Sequence, residues 1–167
     1  MRGLSLTQPW ASAIAFGSKS IETRSWSTSY RGPLAIHASK GFIRDELLYY
    51  GSCWNWCGAL WPLGTRMGDH RRLTELLPFG AIVAICDLVA CRPSETFTVA
   101  ELDTPRRPED ATSDAYNWTE RQMGNFDVMR YGLVLANVRA LPAPISCKGA
   151  LGLWPVNDVL RAQIEAS

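Results

Sequence analysis

The segment GSKSIETR, residues 17–24, places three charged side chains close together between apolar and aromatic stretches. If the chain is extended here, Glu22 and Arg24 project from the same side of a strand, and Lys19 lies at its start. The carboxylate can accept a hydrogen bond from an amino or N–H group of a ligand, and the two cations can hold an anion or a carbonyl oxygen. The alternative is a solvated strand edge with an ion pair.

Aromatic and further cationic side chains flank this cluster, as a site that stacks bases and holds phosphates requires. The predicted ligand-binding residues are Lys19, Glu22, Arg24, Trp26, Tyr30, Arg31, His37, Ser39 and Lys40. Trp26 or Tyr30 would stack on a base, and Glu22 would accept a hydrogen bond from an amino or imino group. We expect Glu22→Ala and Arg24→Ala to impair binding and to leave the fold intact.

An enzyme acting on RNA or nucleosides is the second hypothesis for the same residues. Lys19 would act as a base or nucleophile, or Glu22 would activate a water as a general base. The sequence lacks the usual catalytic signatures, namely G-x-G-x-x-G after a strand, a P-loop, H-E-x-x-H and G-x-S-x-G. His37 could belong to a Ser–His–Asp arrangement, although a lone histidine at a strand end is more often structural.

A protein-interaction module is the third hypothesis, and it depends on the tryptophan-rich residues 54–61. An exposed apolar surface of that size would mark a site for a protein partner. The alternative is that Trp54, Trp56 and Trp61 complete the hydrophobic core.

Length, net charge and hydrophobic composition limit these hypotheses. The chain has 167 residues, which fits one domain, and its net charge of +1 argues against a uniformly basic surface. Positive charge is nevertheless concentrated in residues 1–40, where five cations accompany a single carboxylate. No apolar run is long enough for a membrane helix and no signal peptide is evident, so we expect a cytoplasmic protein with no membrane partner.

The five cysteines are odd in number and irregularly spaced, which argues against a secreted disulfide framework. Cys53, Cys57 and the distant His70 fall short of the usual four zinc ligands. We therefore predict free thiols, no metal site and no cofactor.

Hydrophobic patterning indicates the elements that must position the charged cluster. The predicted strands are a short strand at GLSL, an edge strand or extended loop around 21–24, a strand at 34–36, strands at 79–92 and 131–141, and a short one near 153–156. The predicted helices lie at 10–17, 43–50 and 157–166, with a shorter one near 73–77. Residues 51–78 are predicted to be an irregular insertion, and the polar interval 93–127 contains a clear loop at residues 103–110. The order favours a small, strongly bent α+β sheet or open barrel.

Two blocks, residues 4–39 and 131–156, resemble the beginning and the end of the ASCH (activating signal cointegrator homology) domain. The family's G-x-K-x-x-E-x-R pattern is present as Gly17, Lys19, Glu22 and Arg24. The resemblance implies a single α+β domain over 1–167, a small PUA-like mixed β-barrel with peripheral helices and a variable insertion at roughly 51–128.

The resemblance also implies a function. ASCH domains are linked to RNA binding and modified nucleotides, so single-stranded RNA, DNA or a nucleoside is the expected ligand. Lys19, Glu22 and Arg24 would line a cleft with Trp10 packed nearby. Some relatives are hydrolases: one is a ribonuclease, and a bacterial branch deacylates N4-acetylcytidine with a lysine, a threonine and a distant glutamate. The lysine matches Lys19, and the threonine position is Glu22 here.

Overall fold

The computed structural model describes residues 1–41, 54–60, 62, 75–106 and 117–167. In chain order the helices and strands are β1 (Arg2–Leu6), α1 (Trp10–Ala15), β2 (Ile21–Arg24), β3 (Gly32–Ala38), α2 (Trp54–Ala59), β4 (Ala81–Pro93), α3 (Val99–Asp103), β5 (Tyr131–Ser146), β6 (Leu153–Pro155) and α4 (Asp158–Glu165). Two 3₁₀ turns cover Ser94–Thr96 and Arg121–Met123.

The described strands form one six-stranded sheet in the order β2-β5-β4-β3-β1-β6. The β1–β3 pair is parallel, and the other pairs are antiparallel. Strands β4 and β5 are long, and their pairing shifts register between Ile82 and Ala84 and at two further places. Such irregularities bend and twist a strand, so the sheet curls into a half-barrel. This confirms the predicted α+β fold of the PUA-like type.

Helix α1 fills the concave side of the curled sheet. Its Ala11 and Ile14 are buried among residues of four strands, including Leu4, Ile36 and Leu133. The helix ends as predicted, because Gly17 follows it with φ +74°, a left-handed conformation that favours glycine. Packing of α1 therefore holds the curl and places the following strand β2 at the edge of the sheet.

The opposite face of the sheet is covered by α4. Leu160 and Ile164 lie one turn apart on this helix and pack with Ala35, Ile82 and Trp154. The helix starts where the sequence predicts, because the Asn157 side chain accepts a hydrogen bond from the Leu160 N–H over 2.8 Å.

The two strongest strand predictions are confirmed, since β4 and β5 lie in the interior of the sheet. Strand β5 runs five residues beyond the predicted end at Leu141, through Pro142 and Pro144, to Ser146. Its pairing with β4 skips from Ala140 to Ile145. The prolines, which have no N–H to donate, thus fall where no ladder hydrogen bond is needed.

The polar interval 93–127 contains a helix that the sequence analysis did not predict, α3. Thr98 caps this helix by accepting from the Glu101 N–H, and the Glu101 side chain accepts from the Thr98 N–H over 2.8 Å. This reciprocal capping box has a recognisable sequence form, T-x-x-E, which the polar composition of the segment obscured.

The tryptophan-rich segment 54–61 is not an exposed patch where its side chains are described. Trp56 is only 2% exposed, and Cys57 and Leu60 are also buried. The Trp56 ring meets Trp10 edge-on with the ring centroids 5.6 Å apart, so Trp56 belongs to a second core cluster and not to an exposed apolar surface.

Other predictions stay open. The helix predicted at 43–50 lies outside the described residues. The proposed insertion at 51–128 includes β4, so this range supplies a central strand. No helix within the described ranges has both the length and the apolar character needed to cross a bilayer.

Gly3→Ala should destabilise the protein by about 1–3 kcal/mol, since overpacking has that typical cost. A Cβ at Gly3 would lie 2.4 Å from Cζ2 of the Trp154 ring, which covers this residue of β1. Urea unfolding would measure the change. Gly41→Ala is the matched control, because the nearest atom there, the Ser39 hydroxyl oxygen, is 3.7 Å from the new Cβ. Equal stability of the two variants would contradict the packing argument.

Candidate functional site

A pocket of about 590 Å³ opens beside the edge strand β2 and is called the β2 pocket below. Residues 5–7 at the end of β1 form one wall, and residues 122–125 form another. Glu22, Thr23 and Arg24 supply the strand itself. Glu22 and Arg24, the last two residues of the G-x-K-x-x-E-x-R pattern, therefore line a cavity.

The Glu22 carboxylate lies between two cations. Its Oε1 is 3.2 Å from Arg24 Nη2, and its Oε2 is 3.7 Å from Lys19 Nζ. Glu22 is 7% exposed, so the carboxylate is largely withdrawn from water while still lining the pocket. A carboxylate held in this way is a fixed hydrogen-bond acceptor, because each oxygen has a second lone pair to offer a ligand.

Lys19 does not reach the pocket. The residue is 0% exposed, and its Nζ donates to the Ile21 carbonyl oxygen in addition to pairing with Glu22. The Gly124 backbone covers it closely, since a Cβ at that position would lie 3.3 Å from Nζ. The predicted contact of Lys19 with a ligand, and its candidate role as a nucleophile, do not fit this arrangement; its contact is with Glu22.

Arg24 joins strand β2 to the wall formed by residues 5–7. Its Nη2 donates to the Ser5 carbonyl oxygen over 2.9 Å and also pairs with Glu22. Its Nε is buried without a hydrogen-bond partner. The register of β2 against β5 alternates side chains across the strand, which puts Glu22 and Arg24 on one side as predicted.

Residues far along the chain complete the pocket. The Asn125 N–H donates to the Thr23 hydroxyl over 3.1 Å, and Arg130 Nε donates to the Asn125 carbonyl oxygen over 3.2 Å. The Trp10 indole N–H donates to the Met123 carbonyl oxygen over 2.9 Å. Sequence reasoning missed Asn125 and Arg130, because a polar loop about 100 residues from β2 carries no local signal of its position.

A buried carboxylate anchors this distant segment to the start of β2. Glu120 is 1% exposed, and its Oε1 accepts from the Ser20 N–H at 2.5 Å and the Ser20 hydroxyl at 2.6 Å. Arg106 Nη1 lies 3.0 Å from the same oxygen and balances its charge. The wall formed by residues 122–125 is thereby tied to the strand that it faces.

A sequence model of the ASCH domain matches residues 4–135, which is more than three quarters of the chain. The chain belongs to the ASCH domain family. ASCH domains have a PUA-like fold and generally bind RNA. The match ends near the start of β5, so it includes every described lining residue of the β2 pocket except Leu151, and only the first residues of the block 131–156. A search of curated proteins finds no match.

In this ASCH domain the aromatic residues predicted to stack on a base lie elsewhere. Trp26 and Tyr30 pack at the margin of the main core, and the Tyr30 hydroxyl donates to the Pro33 carbonyl oxygen over 2.7 Å. Arg31 is exposed, and its guanidinium donates to the Thr28 and Tyr30 carbonyl oxygens of its own turn. None of the three lines the β2 pocket, because the chain leaves the sheet edge after β2 to reach β3.

His37 and Lys40 line a second pocket of about 890 Å³, called the β3 pocket below, and Ser39 lines both pockets. The His37 ring is held on both sides: Nδ1 lies 3.2 Å from the Ser5 hydroxyl, and Nε2 lies 3.3 Å from the Cys147 carbonyl oxygen. The Trp154 indole N–H donates to the same hydroxyl over 3.1 Å. With Nε2–H donating to the carbonyl, Nδ1 accepts from Ser5, so every member of the chain is satisfied.

Burial lowers the pKa of His37, and the hydrogen bond to the Cys147 carbonyl opposes this effect only in part. The ring is therefore neutral at pH 7 and joins β3 to the residues after β5. This contact is structural, although His37 also forms part of the pocket wall.

The described residues contain no group of three or more histidine, cysteine, aspartate or glutamate side chains that could hold a metal ion. Cys86, Cys91 and Cys147 are free thiols, as predicted. Cys53 and His70 lie outside the described residues.

Glu22→Gln should lower the free energy of unfolding by about 3 kcal/mol, because it leaves the buried Lys19 ammonium without its carboxylate. From the sequence we expected Glu22→Ala to leave the fold intact; the pairing with buried Lys19 adds a cost in stability to substitutions at this position. The double variant Lys19→Met/Glu22→Gln should lose less than the sum of the two single variants, since it removes both charges. Urea unfolding of the three variants measures the coupling. Additive losses would show that the pair is not coupled.

The wild-type protein should lose stability as the pH falls below the unfolded-state pKa of histidine, about 6.5. Because the pKa of His37 is lowered by folding, the unfolded chain takes up a proton there before the folded chain does. His37→Gln should flatten this part of the curve relative to wild type. Thermal unfolding between pH 5 and 7.5 tests it, and parallel curves for the two proteins would contradict it.

Proposed function

We propose that this ASCH domain binds single-stranded RNA by holding a nucleotide in the β2 pocket. The observation that carries the proposal is the Glu22 carboxylate, fixed between Lys19 and Arg24 at the wall of the cavity. A volume of about 590 Å³ lies in the range of sites for small organic ligands.

Glu22 would read the base. A carboxylate accepts hydrogen bonds from amino and imino groups, which all four RNA bases or their modified forms present on a Watson–Crick edge. The buried Lys19 and the partly exposed Arg24 hold the two carboxylate oxygens in place, so the Glu22 side chain loses little entropy when the ligand binds. The fixed orientation of the Glu22 carboxylate oxygens would then decide which base edge can donate hydrogen bonds to them.

Trp10 would supply the stacking surface in place of Trp26 or Tyr30. It lines the β2 pocket, and the hydrogen bond of its indole N–H to the Met123 carbonyl fixes the ring. Stacking of a base on an aromatic side chain contributes about 1–3 kcal/mol. A rigid ring obtains this contribution at a small entropic cost.

Arg24 and Arg130 would hold phosphate or carbonyl oxygens. Both line the β2 pocket, and guanidinium groups suit planar, bidentate contacts with such oxygens. Affinity should therefore fall as salt rises, in proportion to the phosphates that are contacted.

Arg24→Ala should weaken binding of a fluorescein-labelled single-stranded RNA octamer by at least about tenfold, because contacts to charged groups typically contribute about 1.5–3 kcal/mol. Arg31→Ala is the matched control: it removes the same charge from a nearby exposed position outside the pocket and should have little effect. Fluorescence anisotropy at two salt concentrations measures both variants.

The same titration should include duplex DNA and a panel of modified nucleosides, with products checked by mass spectrometry. Equal losses in Arg24→Ala and Arg31→Ala would place binding outside the β2 pocket. Absence of binding to RNA and to every nucleoside would overturn the proposed function. A new product would instead favour the hydrolase hypothesis.

A further inference from the structure

The β3 pocket adjoins the β2 pocket. Ser5, Ser39 and Leu151 line both cavities, so the two meet along a common wall. The larger cavity lies where β3 ends and where the chain leaves β5, with Gly80 at the start of β4 on its floor. A ligand held beside Glu22 therefore has a second compartment next to it.

The described residues that line the β3 pocket give it positive charge. Among them, Lys40 and Lys148 are cationic, His37 is neutral and none is a carboxylate. Both lysines are exposed, and neither forms an ion pair with a residue in the described ranges. Two ammonium groups in one concave site, with no carboxylate among its described lining residues, favour an anionic ligand.

The backbone is shaped to let Lys40 lie along this pocket. Gly80 has φ +63°, and a Cβ there would lie 2.6 Å from Cε and 2.8 Å from Cγ of Lys40. A larger side chain at this position would meet the lysine stem and would need a left-handed backbone conformation, which favours glycine. The Lys40 stem thus packs over Gly80, and both residues line the cavity.

Lys148 and Leu151 lie on a segment that is anchored at its base. The Cys147 N–H donates to the Gly80 carbonyl oxygen over 3.0 Å, and His37 holds the Cys147 carbonyl. At Gly149 a Cβ would lie 2.4 Å from His37 Nδ1, so the Gly149 backbone packs directly against the His37 ring. The segment thereby presents Leu151, which is 98% exposed, at the wall between the two pockets.

We infer that the β3 pocket is a second nucleotide subsite, so that the domain binds two consecutive nucleotides of an RNA strand across the Ser5–Ser39–Leu151 wall. Lys40 and Lys148 hold the phosphate and the neighbouring nucleotide, while Leu151 contacts the apolar face of a base or ribose. This inference rests on the proposed function. A mononucleotide confined beside Glu22 would leave both lysines without a partner, whereas a strand crossing the wall meets them.

The test compares the ribonucleoside 5′-monophosphates with the corresponding 5′-phosphorylated dinucleotides by calorimetry, and with the RNA octamer by anisotropy. The dinucleotides should bind at least about tenfold more tightly than the mononucleotides. Lys40→Ala and Lys148→Ala should remove most of this gain and leave mononucleotide affinity unchanged. Each should reduce the slope of log affinity against log salt for the octamer by about 0.7, the value for one phosphate on a single strand.

Arg139→Ala is the matched control, since it removes an exposed cation of β5 that lines neither pocket. Equal affinities for mononucleotides and dinucleotides would overturn the second subsite while leaving the proposed function standing. Losses in the lysine variants that match those in Arg139→Ala would overturn it too, because they would reflect net charge alone. If neither class of ligand binds, the proposed function itself fails, and the subsite fails with it.

Discussion

The burial of the Lys19 ammonium is the constraint on which the site depends. A charge withdrawn from water is costly unless it is paired and hydrogen-bonded, and here Glu22 and the Ile21 carbonyl satisfy it. Glu22 is in position to pair with Lys19 because β2 forms the edge of the sheet there. The Gly124 backbone lies close to the Lys19 ammonium and keeps water away from it. One buried cation thus fixes the carboxylate, the edge strand and the segment that covers them.

Hydrogen bonds of a single residue, Ser5, connect the two pockets. Ser5 accepts from Trp154 and hydrogen-bonds to His37, while its carbonyl accepts from Arg24. The residue therefore links the guanidinium of the β2 pocket to the anchored segment of the β3 pocket. Packing and hydrogen bonds from the first strand hold both cavities in a set geometry, and a preorganised site loses less entropy when a ligand binds.

Charge is divided between the pockets in a way that suits a nucleic acid. Among the described residues that line the β2 pocket, the Glu22 carboxylate accompanies Arg24 and Arg130, so this pocket offers both hydrogen-bond acceptors and donors. The described lining of the β3 pocket contains Lys40 and Lys148 and no carboxylate, which favours negative charge. A net charge of +1 for the whole chain conceals this local arrangement.

Periodicity and local motifs determined much of this protein by themselves: strands β1, β4 and β5, helices α1 and α4, and the shared side of Glu22 and Arg24. These features depend on neighbours within a few residues, which a sequence displays directly. The depth of Lys19, the choice of Trp10 over Trp26 and the arrival of Asn125 beside Thr23 were decided only by the tertiary structure. Each depends on segments up to about 100 residues apart meeting across a curled sheet, and residue type alone does not say which lysine is covered and which is left in water.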